Sequence, residues 1–166
     1  MSELEQFSAS LRSWTPEWVI AIRLALACLF GGLIGLEREL KARDAGLRTH
    51  MLTALGACAF TLVSWEIFEQ VRQYQMEAGS DAAGLAGDPI RVVEAVTAGA
   101  GFLAAGIIFQ HRGKVQGLTT GAGVWTAAAI GVACGSGAYT IAAATTALVL
   151  IVLGLITLIK KPTGLA

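Results

Sequence analysis

The sequence predicts an all-α integral membrane protein with five transmembrane helices. Three observations lead to this class. First, 55% of the residues are hydrophobic and only 14% are charged, with a mean hydropathy of +0.65; a soluble domain of this size needs a more polar surface. Second, five apolar stretches, 18–36, 51–68, 90–109, 118–134 and 138–159, approach the ~20 residues a helix needs to cross a ~30 Å hydrocarbon core. Third, these stretches are continuous rather than alternating, and an open sheet cannot satisfy its backbone in lipid. The net charge of zero gives no global attraction to nucleic acid.

Residues 1–17 form a short polar tail, acidic-leaning and without the basic and apolar regions of a cleavable signal. Pro16 stands where a first helix begins. That helix carries Arg23 about 9 Å inside its start, at 1.5 Å per residue. It runs into a charged turn, Glu37-Arg38-Glu39-Leu40-Lys41-Ala42-Arg43-Asp44, and then Ala45-Gly46-Leu47-Arg48-Thr49. The second helix continues beyond Trp65 as a polar helix, because Ile67, Val71 and Tyr74 keep a helical spacing. Residues 78–87 read as a loop, and Asp88-Pro89 as a helix start. The third helix bears Arg91 and Glu94 in its first turns, then a face of almost no bulk that includes Gly99, Gly101 and Gly106. Such faces, like that of Gly35 in the first helix, let backbones approach closely in lipid, within one chain or in a homo-oligomer. The fourth helix has Trp125 near mid-membrane, packed between helices; Gly135-Ser136-Gly137 turns the chain into the fifth, anchored by Lys160 and Lys161.

Basic residues set the orientation. Loop 37–50, loop 110–117 and tail 160–166 together hold eight Lys/Arg, whereas the opposite side holds Arg12, Arg72 and Arg91. The positive-inside rule places the N-terminus outside and the C-terminus inside, with a periplasmic tail 1–17 and a cytoplasmic tail 160–166. Trp14, Trp18, Trp65 and Tyr139 then form an outer aromatic belt. A repeat at an offset of 71 matches Gly35 with Gly106, and Gly46-Leu47-x-Thr49 with Gly117-Leu118-x-Thr120. It makes the two halves parallel repeats. Arg23 and Glu94 share the same offset, with opposite charges.

Ionisable groups inside a membrane are costly, so Arg23, Arg91 and Glu94 are candidate functional residues. Arg23 pairs with Glu94 across helices one and three, or snorkels to the interface; Glu94 has Arg91 at i−3 as an alternative partner. In the cytoplasmic turn, Glu37, Glu39 and Asp44 are oxygen ligands of the kind Mg²⁺ takes. They are interleaved with Arg38, Lys41, Arg43 and Arg48, which favours a self-satisfied salt-bridged turn. Arg48 and Thr49, and in the second half Thr119 and Thr120, are placed to tie the turns to helix ends by hydrogen bonds. His50 and His111 read as solvated interface residues, and Cys28, Cys58 and Cys134 as small packing residues. No nucleophile triad, phosphate loop or metal motif occurs, so an enzyme is not expected and no cofactor is implied.

Several motifs in order carry a resemblance: Gly-Leu-Ile-Gly-Leu-Glu-Arg-Glu (32–39), Ala-Gly-Leu-Arg-Thr-His (45–50), Asp-Pro-x-Arg (88–91), Ala-Gly-x-Gly-Phe-Leu-x-Ala-Gly (98–106) and Gly-Leu-Thr-Thr (117–120). The chain resembles the MgtC/SapB family of bacterial inner-membrane proteins over residues 18–158. The resemblance implies a five-helix membrane domain and a link to magnesium homeostasis and adaptation to low magnesium. It also implies action on other membrane proteins, the proton-driven ATP synthase among them, or transport of Mg²⁺ or another cation. Two departures accompany it. The soluble C-terminal domain of virulence-type members is expected to be absent, since the sequence ends at Ala166. Helix three has Glu94 and Ala95 where many members have Ala and Gln, which implies a divergent branch.

Overall fold

A computed structural model describes residues 14–77, 89–111 and 114–159. Its elements are α1 (Glu17–Leu40), α2 (Leu47–Glu77), α3 (Pro89–Ile107), β1 (Phe109–His111), β2 (Lys114–Gln116), α4 (Leu118–Gly135) and α5 (Tyr139–Ile159). The five expected helices are all present. Four of them (Glu17–Leu40, Leu47–Met76, Ile90–Ile107 and Leu118–Gly135) are long and apolar enough to cross a membrane. The fifth, α5, is a 21-residue helix rich in Ala, Leu, Ile and Val. The tails 1–13 and 160–166, the loop 78–88 with Asp88, and Arg112 lie outside the described residues.

α4 is the central helix and touches all four others. Small side chains make this feasible: Gly121, Gly123, Ala127, Ala128, Gly131, Ala133 and Gly135 of α4 are all buried. The main core lies where α1, α2 and α4 meet and is built from Ala27, Ile34, Ala54, Cys58, Ile130 and Cys134, joined by Ala142 of α5. Cys58 and Cys134 are buried free thiols in this core, and Cys28 is half-buried, as packing residues should be.

Helix boundaries differ from the expected ones in physically simple ways. Glu37 to Leu40 do not form a turn; they are the last turn of α1. The chain leaves this helix through Ala42, which takes the left-handed conformation (φ 49°). Ala42 N–H then donates to Glu39 O and Arg43 N–H to Arg38 O, a Schellman end in which glycine is the usual occupant. α2 begins at Leu47 rather than Met51 and runs on past Trp65 to Glu77, as its spacing predicted. Pro16 is the N-cap of α1, one residue before the helix, and its carbonyl accepts from Val19 and Ile20.

The inner loop of the second half is not irregular. β1 and β2 pair antiparallel, with Phe109 opposite Gln116 and His111 opposite Lys114. α3 therefore stops at Ile107, two residues before the expected end. Gly117 (φ 82°) lies so close to Ile107 O that an added Cβ would sit 2.3 Å from it. Both halves nonetheless start their second helix at Gly-Leu, Gly46-Leu47 for α2 and Gly117-Leu118 for α4.

Candidate functional site

The charged end of the bundle is a built cluster. Arg38 continues the buried stride of Ala27, Gly31, Ile34 and Gly35 along α1 and is only 4% exposed. Its Nε donates to Glu37 Oε2, and Lys41 Nζ pairs with Glu37 Oε1. Lys41 Nζ also reaches Leu153 O on α5, 3.1 Å away. One carboxylate thus gathers two cations and links the end of α1 to α5.

Glu39 has a different task. Its Oε2 accepts the N–H of Leu47 at 2.7 Å, which satisfies one of the free donors at the start of α2. Gly46 makes room for this contact, since an added Cβ would lie 2.8 Å from the same oxygen. Glu39→Ala is expected to destabilise the protein by about 1 kcal/mol, the usual cost of losing a helix cap. Glu39→Gln keeps an acceptor and should lose less. Thermal unfolding of both in detergent checks the ordering; equal losses would remove the capping role.

His50 departs from expectation. It is 0% exposed rather than solvated, because α2 turns it inward on the stripe of Ala54 and Cys58. Its Nδ1 lies 2.9 Å from Gly46 O, so in the neutral ring Nδ1 carries the proton and Nε2 is left as a bare acceptor. Nε2 has no hydrogen-bond partner and faces Gly123, whose added Cβ would lie 3.0 Å away. The side chain of His111 lies outside the described residues.

The other predicted members of this end are distributed unevenly. Asp44, Arg48, Thr49 and Thr119 are exposed, and Thr120 is buried at the start of α4. The ties expected from Arg48 and Thr49 are made instead by Glu39 and by His50, which are near enough to reach the α2 backbone. Gly35 is a packing glycine: an added Cβ would lie 2.7 Å from Leu47 Cα. Gly99 and Gly106 are not packing glycines within this chain, since an added Cβ at either meets nothing within 4 Å; Gly101 only grazes the Trp125 ring at 4.0 Å. Trp125 itself is 46% exposed rather than enclosed.

At the opposite end, Arg23 does not pair with Glu94. Its Nη1 donates to Gly135 O at 2.7 Å and its Nε to the Tyr139 hydroxyl (Oη) at 3.3 Å. The left-handed turn at Gly137 (φ 82°) places these acceptors, and Gly137 leaves space for the guanidinium. Glu94 and Arg91 are exposed on α3; they form no ion pair with one another or with Arg23 among the described residues. A contact that the sequence did not suggest lies nearby. Glu66 of α2 accepts the N–H groups of Trp14 and Thr15, at 2.7 and 2.9 Å, and pins the segment before α1. Among the described residues, no three His, Cys, Asp or Glu side chains converge as metal ligands.

Comparison with known proteins places this architecture. The MgtC family model matches residues 24–161, nearly the whole chain. The chain belongs to the MgtC family. Protein MgtC of Brucella abortus is 40% identical over 139 residues, 84% of this chain and 52% of that protein. YhiD of Escherichia coli K12, whose name proposes magnesium transport, is 42% identical over 125 residues, 75% of this chain and 54% of YhiD. Protein SapB of Bacillus subtilis is 37% identical over 130 residues, 78% of this chain and 53% of SapB. The chain spans about half the length of the curated relatives it matches, and no solved structure matches it. Within the MgtC family frame, it is a multi-pass membrane protein.

Proposed function

We propose that this MgtC-family protein serves magnesium homeostasis in the bacterial inner membrane by acting on other membrane proteins, without catalysing a reaction and without itself conducting Mg²⁺. The observation that carries this reading is the state of the carboxylates. Glu37 is consumed by Arg38 and Lys41, and Glu39 caps α2. Mg²⁺ needs several free, convergent oxygens. At the opposite end Arg23 is cationic and would repel a divalent cation, while Glu66 is taken up by the Trp14 and Thr15 N–H groups and Glu69 by Arg72. The positive-inside count supports an N-out, C-in orientation, with the Arg38 cluster facing the cytoplasm. There the exposed residues beside it, Arg43, Asp44 and Arg48, are open to contact by membrane partners, of which the ATP synthase is one by family resemblance.

The test is Mg²⁺ flux into proteoliposomes, run beside growth of a family-deletion strain at low magnesium. The expected result is no flux above empty liposomes for wild type and for Glu94→Gln, together with rescued growth. Saturable flux that falls in Glu94→Gln would instead make the protein a transporter with Glu94 on the path. Cross-linking in native membranes identifies what is bound; products with other membrane proteins support the reading, and self-products alone support an oligomeric module.

A further inference from the structure

Two adjacent cavities open beside α2 and α3. One, about 360 Å³, lies at the tryptophan end and is lined by Arg23, Ser64, Trp65 and Ser136 among others. The second, about 540 Å³, is an apolar slot between α2 and α3. Ser64 and Val92 belong to both. Gly56 of α2 and Gly99 of α3 face the slot, and an added Cβ at either would meet nothing within 4 Å. Internal packing leaves both unexplained, as it does Gly106 and Gly154, which do not line the slot. Along α2 the slot runs from Leu52 to Ile67, about 22 Å at 1.5 Å per residue. That exceeds the depth of one hydrocarbon leaflet, about half of a ~30 Å core.

The head of this space is electropositive. A guanidinium has five N–H donors, and Arg23 spends two of them, on Gly135 O and the Tyr139 hydroxyl. No carboxylate lies within ion-pair distance of it among the described residues. A cation about 9 Å along α1 is expensive without an anion. Trp65 in the cavity wall and Tyr139 on the guanidinium mark the level at which aromatic side chains meet headgroups. The floor of the slot is closed where Ala57 and Ala100 meet Ala128. A helix ~10 Å wide and as long as the slot would fill on the order of 1,700 Å³, well beyond the slot's 540 Å³, whereas a single acyl chain is far slimmer.

We infer that the two adjacent cavities together hold one phospholipid of net negative charge. Its phosphate accepts hydrogen bonds from Arg23 and the Ser64 hydroxyl, and one acyl chain lies in the slot between Gly56 and Gly99. This site is independent of the action on partner proteins proposed above.

The test uses the full chain, reconstituted in vesicles of phosphatidylethanolamine with a minority of phosphatidylglycerol, extracted in mild detergent and weighed by native mass spectrometry. Wild type is expected to keep one phosphatidylglycerol. Arg23→Gln should weaken retention by about tenfold, the cost of one charge-assisted hydrogen bond, and Arg23→Lys should recover part of it. Gly99→Leu fills the slot and should abolish retention, while Gly106→Leu, on the same helix and outside the slot, should not. Circular dichroism verifies folding; if Arg23→Gln fails to fold, the comparison of Gly99→Leu with Gly106→Leu decides. Retention of the two lipids in their mixing ratio overturns the inference. So does undiminished retention in Gly99→Leu, or a lipid-free dimer of wild type.

Discussion

Gly131→Val is expected to destabilise the protein by about 3 kcal/mol or more, at the upper end of what overpacking costs. A Cβ at Gly131 would lie 2.2 Å from Ala54 O and 2.9 Å from Ala57 Cβ. These atoms belong to α2, which α1 approaches as closely: an added Cβ at Gly31 would sit 2.7 Å from His50 O and 2.8 Å from Ala54 Cβ. Ala54 is thus met by a glycine of α1 and a glycine of α4, and a side chain at either must separate helices. For a chain of this size the loss corresponds to a fall in thermal midpoint of about 6–12 °C. Gly106→Val is the matched control, because nothing lies within 4 Å of a Cβ there. Thermal unfolding in detergent should separate the two variants widely. Equal midpoints would mean that the α2–α4 contact does not hold the bundle together.

The second large effect is expected at Arg38. Arg38→Met should cost about 3 kcal/mol, the lower end of the range for removing one partner of a buried ion pair. The reason is what remains: Glu37 keeps Lys41 but loses the buried guanidinium at its other oxygen. Removing the acid as well takes away that unpaired charge. The double variant Glu37→Gln/Arg38→Met should therefore be less damaged than the sum of the single changes. Four unfolding curves close this cycle. Additive losses would show that the pair is no more than two independent surface charges.

The Arg23–Glu94 expectation shows how far a sequence reaches in a membrane protein. Depth was legible, because each residue of a helix advances a known distance and both charges fall near the same end. Azimuth was not. Glu94 lies on the side of α3 away from the buried Ala100 and Ala104, while Arg23 turns toward the end of α4. The glycines tell the same story. Gly35, Gly99 and Gly106 look alike in sequence, yet Gly35 touches the α2 backbone and the other two touch nothing. A missing side chain records permission for close approach and does not say whether a neighbour takes it up. The burial of His50 and of Arg38 is carried by the helical period. Each sits on the stripe that its helix buries, His50 with Ala54 and Cys58, Arg38 with Gly31 and Ile34. Following the period through a polar residue would have placed both inside.

Composition, run length and ordered motifs by themselves determined the helical membrane class, the five helices and the MgtC-family membership, since these depend on hydropathy and local pattern along one dimension. Only the tertiary structure decided which partner each charge takes, that α4 lies at the centre, and that α2 and α3 part around a slot. Those outcomes depend on rotation about helix axes and on interhelical distance, and both are set by how all the helices pack together.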